Sequence, residues 1–179
     1  MTGLRSLVLL AFLLSSPAIS QEMASQDRPE LTPLCAPDEP GEKLEFWGRV
    51  LDYQGRPLAK ASVVAYHADR VGLYTAQGAT NRVPRLRNVA VTDSAGRFGF
   101  VTIRPGAYPD GSQPAHIHLA VTAPAHDVRH LETWFRGDPL ITPALAESAQ
   151  QSASTVIVEL ARDPDGTWTF QQDIRLEAN

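Results

Sequence analysis

From residue 44 onward the chain is divided into short apolar or alternating segments, and this spacing limits the possible folds more than any other feature. Clusters of Gly, Pro and Asp separate the segments. Runs of this length, rich in Val, Ile, Phe and Trp and bounded by turn residues, are typical of β-strands. Such strands bury their apolar faces by packing two sheets together, so the sequence predicts an all-β sandwich. The predicted strands are residues 44–52, 61–67, 89–92, 97–103, 116–123, 130–135, 154–161 and 167–176.

Three connections between these segments carry recognisable signals. The Asp-Ser-Ala-Gly turn at 93–96 predicts a hairpin between the strands on either side of it. The turn residues at 162–166 predict a second hairpin at the end of the chain. Residues 144–151 are predicted to form a short helix.

The first 43 residues differ in composition from the rest. Arg5 precedes an apolar run at 7–14, and small residues follow as far as Ser20. This layout predicts a signal peptide, residues 1–20, and an exported protein, periplasmic or secreted, with no membrane segment after cleavage. Residues 21–43 are rich in Pro and polar side chains, which predicts an arm that either lies against the domain or is mobile. The domain itself is expected to span residues 44–179.

Charge and cysteine content exclude several classes of function. The net charge of −4 and the pI of about 5.7 argue against a partner that is nucleic acid or an anionic membrane. Cys35 is the only cysteine, which excludes an intrachain disulfide and a cysteine-rich zinc site. The sequence also lacks a Gly-rich phosphate loop, a GxSxG elbow and an HExxH motif.

His116 and His118 are the first candidate functional residues. Positions two apart in a strand point to the same face and lie about 6 to 7 Å apart, so both imidazoles can bind one ion. A His-x-His pair on a half-buried strand is equally compatible with two packed or solvent-facing histidines. The three other histidines lie outside this pattern, and a surface or loop position is expected for His67, His126 and His130.

Several spaced motifs in a fixed order resemble one known family, the intradiol ring-cleavage dioxygenases, which includes protocatechuate 3,4-dioxygenase and catechol 1,2-dioxygenase. The similarity covers roughly residues 46–139. The motifs are Gly48-x-Val50, Gly55-x-Pro57-Leu58, Ala61-x-Val63, Gly72-x-Tyr74, the segment from Thr92-Asp93 to Tyr108-Pro109, Pro-Ala-His-Ile-His at 114–118, and Phe135-x-Gly137-Asp138-Pro139.

The resemblance implies a β-sandwich of the transthyretin or starch-binding-like type and one non-haem Fe(III) per chain. Matched position by position, the metal ligands are expected to be Tyr74, Tyr108, His116 and His118. Fe(III) is a hard acid that favours anionic phenolate oxygens, and imidazoles complete its shell. The charge of the metal lowers the pKa of a bound phenol, so both tyrosines can bind deprotonated.

The implied reaction joins a small aromatic diol and O2. In this family the diol binds the iron as a dianion and displaces one tyrosinate, which matches Tyr108 and can take a substrate proton. Cleavage between the two hydroxylated carbons gives a muconate-type diacid. Tyr108 and Gln113 are therefore the expected catalytic residues, and a homodimer is a possible assembly.

Two positions depart from the family pattern. Gln113 stands where arginine is usual, so electrostatic stabilisation of the substrate ring should be weaker. Glu132 stands where glutamine is usual, and its carboxylate is expected to repel acid-bearing substrates and to select neutral or cationic ring substituents.

Two other readings of the residues stay open at this stage. A non-catalytic β-sandwich module outside the cytoplasm would bind carbohydrate or a protein partner, since a fold does not fix a function. A zinc-dependent hydrolase would use His116 and His118 but has no evident general base or third histidine at ligand spacing.

Overall fold

The computed structural model describes residues 28–75 and 83–179. The predicted signal peptide and the first residues of the predicted arm lie outside this part of the chain. The described residues form eleven strands and one helix: β1 (Thr32–Pro33), β2 (Lys43–Asp52), β3 (Ser62–His67), β4 (Leu86–Val91), β5 (Arg97–Ile103), β6 (His116–Thr122), β7 (Arg129–Phe135), α1 (Pro143–Gln151), β8 (Thr155–Val158), β9 (Ala161–Arg162), β10 (Trp168–Gln171) and β11 (Ile174–Leu176).

The strands form two sheets, which confirms the predicted all-β fold. The six-stranded sheet has the order β1-β5-β2-β10-β9, with β11 also paired to β2, and the five-stranded sheet has the order β4-β3-β6-β7-β8. Alternate side chains of both sheets meet in one buried cluster, which includes Phe46 and Phe100 from the first sheet and Ile117 from the second. Phe46 stacks on Phe170 with ring centroids 4.9 Å apart. Burial of each such side chain stabilises the fold by about 1.5–3 kcal/mol.

Both predicted hairpins need correction. The turn at 93–96 joins β4 of the five-stranded sheet to β5 of the six-stranded sheet, so these strands do not pair with each other. Asp93 caps the turn by accepting the backbone N–H groups of Ala95 and Arg97. Near the end of the chain, β8 pairs in parallel with β7, and only the short β9 pairs antiparallel with β10. Local alternation identifies a strand but does not say to which sheet it belongs.

The predicted helix is confirmed as α1. Thr142 caps its first turn, where the side-chain oxygen accepts the backbone N–H of Leu145 at 3.2 Å. None of the helical segments within residues 28–75 and 83–179 has the length and apolar character needed to cross a bilayer.

The described part of the predicted arm lies against the six-stranded sheet. The Arg28 guanidinium lies 4.2 Å above the ring of Trp47 and forms ion pairs with Glu45 and Asp163. Further along, β1 pairs in parallel with β5, and Leu34 is buried in the core cluster. Residues 28–42 therefore extend the core of the domain.

His67 is fully buried, so the expectation of a surface or loop position was wrong for this histidine. Its Nδ1 lies 2.7 Å from the carbonyl oxygen of Ala68, and its Nε2 lies 2.7 Å from Thr102 Oγ1 on β5. The contact with Thr102 connects the two sheets. Burial lowers the pKa of His67 to about 4. The expectation holds for His130, which is exposed, and for His126, which lies in a loop.

Candidate metal centre

Strand β6 places two histidines on the outer face of the five-stranded sheet. Ile117 and Leu119 point into the core, so His116 and His118 point away from it. The alternation of the strand thus places both imidazoles on one face, as the sequence predicts. Strands β3 and β7 flank β6 and supply Tyr66 and Glu132, which both lie directly opposite His118.

The Gly-Asp-Pro turn after β7 fixes the start of the histidine strand. Asp138 is 8% exposed, and its Oδ2 accepts the backbone N–H of Ala115 at 3.0 Å. Its Oδ1 accepts the N–H of Leu140, so the same carboxylate also closes its own turn. His116 Nδ1 lies 2.7 Å from the carbonyl oxygen of Pro114, which fixes the orientation of the imidazole ring.

Tyr74 follows β3 in a loop that is fastened to the loop of Tyr108. The Asp69 carboxylate accepts two backbone N–H groups of its own loop, and its carbonyl accepts the N–H of Gly106 at 2.9 Å. At Gly72, where φ is +83°, an added Cβ would lie 2.0 Å from the carbonyl oxygen of Ala107. The two backbones are therefore in direct contact, and only glycine fits there.

Tyr108 begins a short closed loop that ends at Gln113. The backbone N–H of Tyr108 donates to the carbonyl oxygen of Gln113 at 3.2 Å, and the N–H of Gly111 donates to the carbonyl oxygen of Tyr108 at 2.9 Å. The side chain of Gln113 is exposed. Its backbone therefore supports Tyr108, and the catalytic role of its amide group stays a prediction.

The four predicted metal ligands form one connected cluster of donor atoms. Tyr74 Oη lies 2.8 Å from His118 Nε2 and 3.2 Å from His116 Nε2. The two Nε2 atoms are 3.0 Å apart, and Tyr108 Oη lies 3.1 Å from Tyr74 Oη. Two loops and one strand, separated by up to 44 residues in sequence, thus bring four donor atoms together.

This cluster has fewer protons than its contacts require. His116 Nδ1 must donate to the Pro114 carbonyl, which can only accept, so the Nε2 of a neutral His116 carries a lone pair. The Nδ1 of His118 faces Glu132 Oε1 at 3.7 Å, which favours a proton on Nδ1 and a lone pair on Nε2. The two lone pairs then face each other at 3.0 Å. Tyr74 has one hydroxyl proton and can donate it to only one of them, so the other is left for a cation.

The environment favours a neutral His118 and a protonated Tyr74 as long as no cation is bound. Burial, followed by the proximity of His116, lowers the pKa of His118 to about 4. Burial, followed by the hydrogen bond from Tyr108, raises the pKa of Tyr74 far above its ordinary value. A neutral imidazole is the form that binds metal, whereas the phenol of Tyr74 needs a strong positive charge nearby to ionise.

The geometry fits a single metal ion. Donor atoms about 2.0 to 2.1 Å from a shared ion and about 90° apart lie about 3 Å from each other. The separations of 2.8, 3.0, 3.1 and 3.2 Å in the cluster match this spacing. Two phenol oxygens and two imidazoles also form a donor set suited to Fe(III).

Glu132 belongs to the support of this cluster. His116, His118 and Glu132 together offer atoms within 4.8 Å of one another, which is itself compatible with a metal site. Glu132, however, faces Nδ1 of His118, on the opposite edge of the ring from Nε2. Its Oε2 also accepts the indole N–H of Trp134 at 3.2 Å. We therefore assign Glu132 to orienting His118, as carboxylates commonly do for metal-binding histidines.

Tyr66 is a site residue that the sequence did not reveal. Its ring stacks on His118 with centroids 4.6 Å apart and planes 18° apart. The alternation within β3 places Tyr66 on the face opposite to His67. The pairing of β3 with β6, which sets Tyr66 beside His118, joins segments about fifty residues apart and leaves no local signal.

A family model described as "Dioxygenase" matches residues 14–178 of the chain. The chain belongs to the intradiol dioxygenase family. It is 34% identical over 112 residues to the protocatechuate 3,4-dioxygenase beta chain of Burkholderia cepacia, covering 56% of this chain and 48% of that protein. It is 30% identical over 152 residues to 6-chlorohydroxyquinol 1,2-dioxygenase of Cupriavidus pinatubonensis, covering 76% of this chain and 54% of that protein. The chain thus spans about half the length of these curated relatives.

Solved structures support the same fold. The dioxygenase domain of a dioxygenase and carbohydrate-binding protein fusion from Streptomyces sp. SirexAA-E superposes with a TM-score of 0.64 at 26% identity, covering 86% of this chain and 91% of that domain. Catechol 1,2-dioxygenase from Pseudomonas arvilla C-1 gives a TM-score of 0.66 at 24% identity, covering 82% of this chain and 56% of that enzyme. The family resemblance and the β-sandwich are confirmed. A non-catalytic binding module is not favoured, because these relatives are named as ring-cleavage dioxygenases.

Proposed function

We propose that this intradiol dioxygenase family member is an Fe(III)-dependent enzyme that cleaves a catechol-type diol between its two hydroxylated carbons. The co-substrate is O2 and the product is a muconate-type diacid. The observation that supports this proposal most strongly is the cluster in which Tyr74, His116 and His118 lie near 3 Å from one another and Tyr108 lies 3.1 Å from Tyr74, with fewer protons than lone pairs.

The four side chains would have different roles in metal binding and catalysis. His116, His118 and Tyr74 would hold the metal, since the first is fixed by Pro114 and the other two lie at the centre of the cluster. Fe(III) bound there would hold the diol through both oxygens and make its ring carbons reactive towards O2.

Tyr108 is the side chain best placed to exchange with substrate. It lies at the edge of the cluster, where it contacts Tyr74 and not the central pair of Nε2 atoms. Tyr108 and Tyr74 both line an open cavity of about 400 Å³, together with Gly72, Leu73, Pro109 and Asp110. A small aromatic diol entering this cavity would meet Tyr108 first. Tyr108 would be the fourth ligand of the metal, and its phenolate oxygen would accept a proton from the diol as it is displaced.

Metal content and colour test the metal part of the proposal. The purified protein should hold one iron per chain and show the red to burgundy absorption of tyrosinate bound to Fe(III). The double variant Tyr74→Phe, Tyr108→Phe should lose this absorption. Tyr53→Phe is a matched control, because Tyr53 is 51% exposed and lies in a turn of the six-stranded sheet. A colourless protein without iron after reconstitution would refute the metal site.

Turnover tests the catalytic part separately. Catechol, protocatechuate and hydroxyquinol should each be incubated with the iron-loaded protein under O2, with oxygen uptake and the absorbance of a muconate-type product recorded. We expect uptake of one O2 per product formed. Iron-loaded protein that consumes no oxygen with any diol would leave a metal-binding protein and overturn the enzyme proposal.

We also propose export, on the basis of Arg5 and the apolar run at 7–14. N-terminal sequencing of protein recovered from the periplasm or medium should then begin at Gln21. Full-length protein that keeps Met1 in the cytoplasm would contradict this proposal.

A further inference from the structure

A single row of side chains crosses the outer face of the five-stranded sheet beside the four-residue cluster. Arg87 of β4 lies opposite Tyr66 of β3, Tyr66 lies opposite His118 of β6, and His118 lies opposite Glu132 of β7. Directly opposed residues of antiparallel strands project from the same face. These four side chains therefore form a continuous row, which we call the Arg87–Glu132 row.

The two ends of the Arg87–Glu132 row carry opposite charges. Glu132 lies beside His118, whereas Arg87 is exposed and lies two strands away from His118 on the other side. Both charges act on Tyr66 between them. The row thus presents a gradient from negative charge near the cluster to positive charge at β4.

The spacing of the row sets the length of a ligand that could use it. Neighbouring strands are about 4.8 Å apart, so the backbones at His118 and Arg87 are separated by about 10 Å. Tyr66 fills the distance between them, with its ring stacked against the imidazole of His118 at a centroid separation of 4.6 Å. A diol ring held beside His118 would place a substituent two or three atoms long over Tyr66 and within reach of the Arg87 guanidinium.

Resting on the proposed function, we propose that this site prefers catechols whose ring substituent ends in a carboxylate, with the substituent over Tyr66 and the carboxylate paired with Arg87. A carboxylate attached directly to the ring would stay close to Glu132 and gain little from Arg87. The Glu132 carboxylate is expected to favour neutral or cationic ring substituents. In this scheme that expectation applies to substituents on the Glu132 side of His118. Arg87 is a specificity-determining residue in this scheme and takes no part in ring cleavage.

A comparison of acids with their methyl esters tests this proposal. The spacer between ring and carboxylate is lengthened step by step. The pairs are protocatechuate, 3,4-dihydroxyphenylacetate and 3-(3,4-dihydroxyphenyl)propionate with their methyl esters, and unsubstituted catechol is the reference. For the iron-loaded wild type, the ratio of kcat/KM for acid over ester should rise with spacer length. An exposed ion pair of this kind should raise the acid-to-ester ratio of kcat/KM about three- to fivefold. This ratio should fall in high salt.

Variants of Arg87 should remove this preference and leave the chemistry intact. Arg87→Ala should lower the acid-to-ester ratio for the propionate about three- to fivefold, mainly through KM, because the contact is remote from the reacting carbons. Arg87→Glu should lower it further. Arg175→Ala is the matched control, since it removes one exposed positive charge from β11 of the other sheet. Turnover of unsubstituted catechol should be the same in all these proteins.

Failure of the Arg87 proposal can be distinguished from failure of the proposed function. If catechol and the esters are cleaved but the acid-to-ester ratio is the same in wild type and Arg87→Ala, the Arg87 proposal is overturned and the proposed function stands. If none of the seven diols is cleaved by iron-loaded protein, the proposed function is overturned and the Arg87 proposal falls with it.

Discussion

His67 and His118 lie one residue out of register on neighbouring strands, and both have a pKa lowered to about 4, yet they serve opposite purposes. His67 points into the core, where both ring nitrogens have a protein partner at 2.7 Å. His118 points outward, where its Nε2 meets the Nε2 of His116 at 3.0 Å. The lowered pKa is alike at the two positions, although His67 is fully buried and His118 is half-buried, so the pKa does not mark the candidate site.

The hydrogen-bond partners distinguish the two histidines. Both ring nitrogens of His67 have partners within the protein, and the contact with Thr102 joins the two sheets. The lone pairs at His116 and His118 outnumber the protons that Tyr74 can offer them. A buried polar group without a partner costs roughly 1–3 kcal/mol, and a protein retains such an arrangement where a ligand completes it.

The largest expected effect is on iron affinity, and it should occur without a matching loss of fold stability. His116→Ala should lower iron affinity by more than about 100-fold, since even the loss of a residue that only supports a ligand can cost about 10- to 100-fold. The same change should alter the unfolding free energy of the metal-free protein by less than about 1 kcal/mol. His67→Ala should do the reverse, with normal iron content and a loss of about 2–4 kcal/mol in unfolding free energy.

Iron analysis and urea unfolding of the metal-free proteins measure both quantities. A folded His67→Ala protein that binds no iron would contradict the comparison, as would a His116→Ala protein that retains one iron per chain.

The pH dependence of stability sharpens the same comparison. The folded-state pKa of His67 is about 4, below its unfolded value near 6.5. The unfolded chain therefore takes up a proton first, and the stabilisation is complete above pH 6.5 and lost as the pH falls towards 4. His67 contributes on the order of 3 kcal/mol to this pH-dependent part of the unfolding free energy. His118 acts in the same direction in the metal-free protein.

Urea unfolding of metal-free protein at several pH values between 7.5 and 4 measures this loss. His67→Gln should remove about half of the pH-dependent loss that the two histidines cause. An unfolding free energy with the same pH dependence in wild type and His67→Gln would show that the pKa of His67 is the same in the folded and unfolded protein.

The smallest expected effect concerns the support of His118. Glu132→Gln should weaken iron binding by about tenfold or less, because the amide holds the ring less firmly than the carboxylate. Glu159→Gln is the control, since Glu159 is an exposed carboxylate that forms an ion pair with Arg136. Competition for iron with a coloured chelator gives the affinities. Equal affinities in both variants would show that Glu132 does not support metal binding through His118.

Much of this arrangement follows from local sequence, but the part that depends on strand pairing does not. The alternation around His116 and His118 predicts their shared face, and the turn residues around Tyr108 predict its loop. The burial of His67 and the position of Tyr66 depend on which strands pair and on the register between them. No local pattern encodes this information when the partners are about fifty residues apart. For Glu132 the sequence revealed the charge, and the pairing of β6 with β7 revealed what it faces.

The contact between the two tyrosine loops limits how this site can rearrange. At Gly106 an added Cβ would lie 2.5 Å from the carbonyl oxygen of Arg70, and at Gly72 the approach to Ala107 is closer still. Neither main chain can swing outward without carrying the other with it. The space that a substrate needs beside Tyr74 must therefore come from rotation of the Tyr108 side chain about its own torsion angles, while the backbone of both loops stays in place.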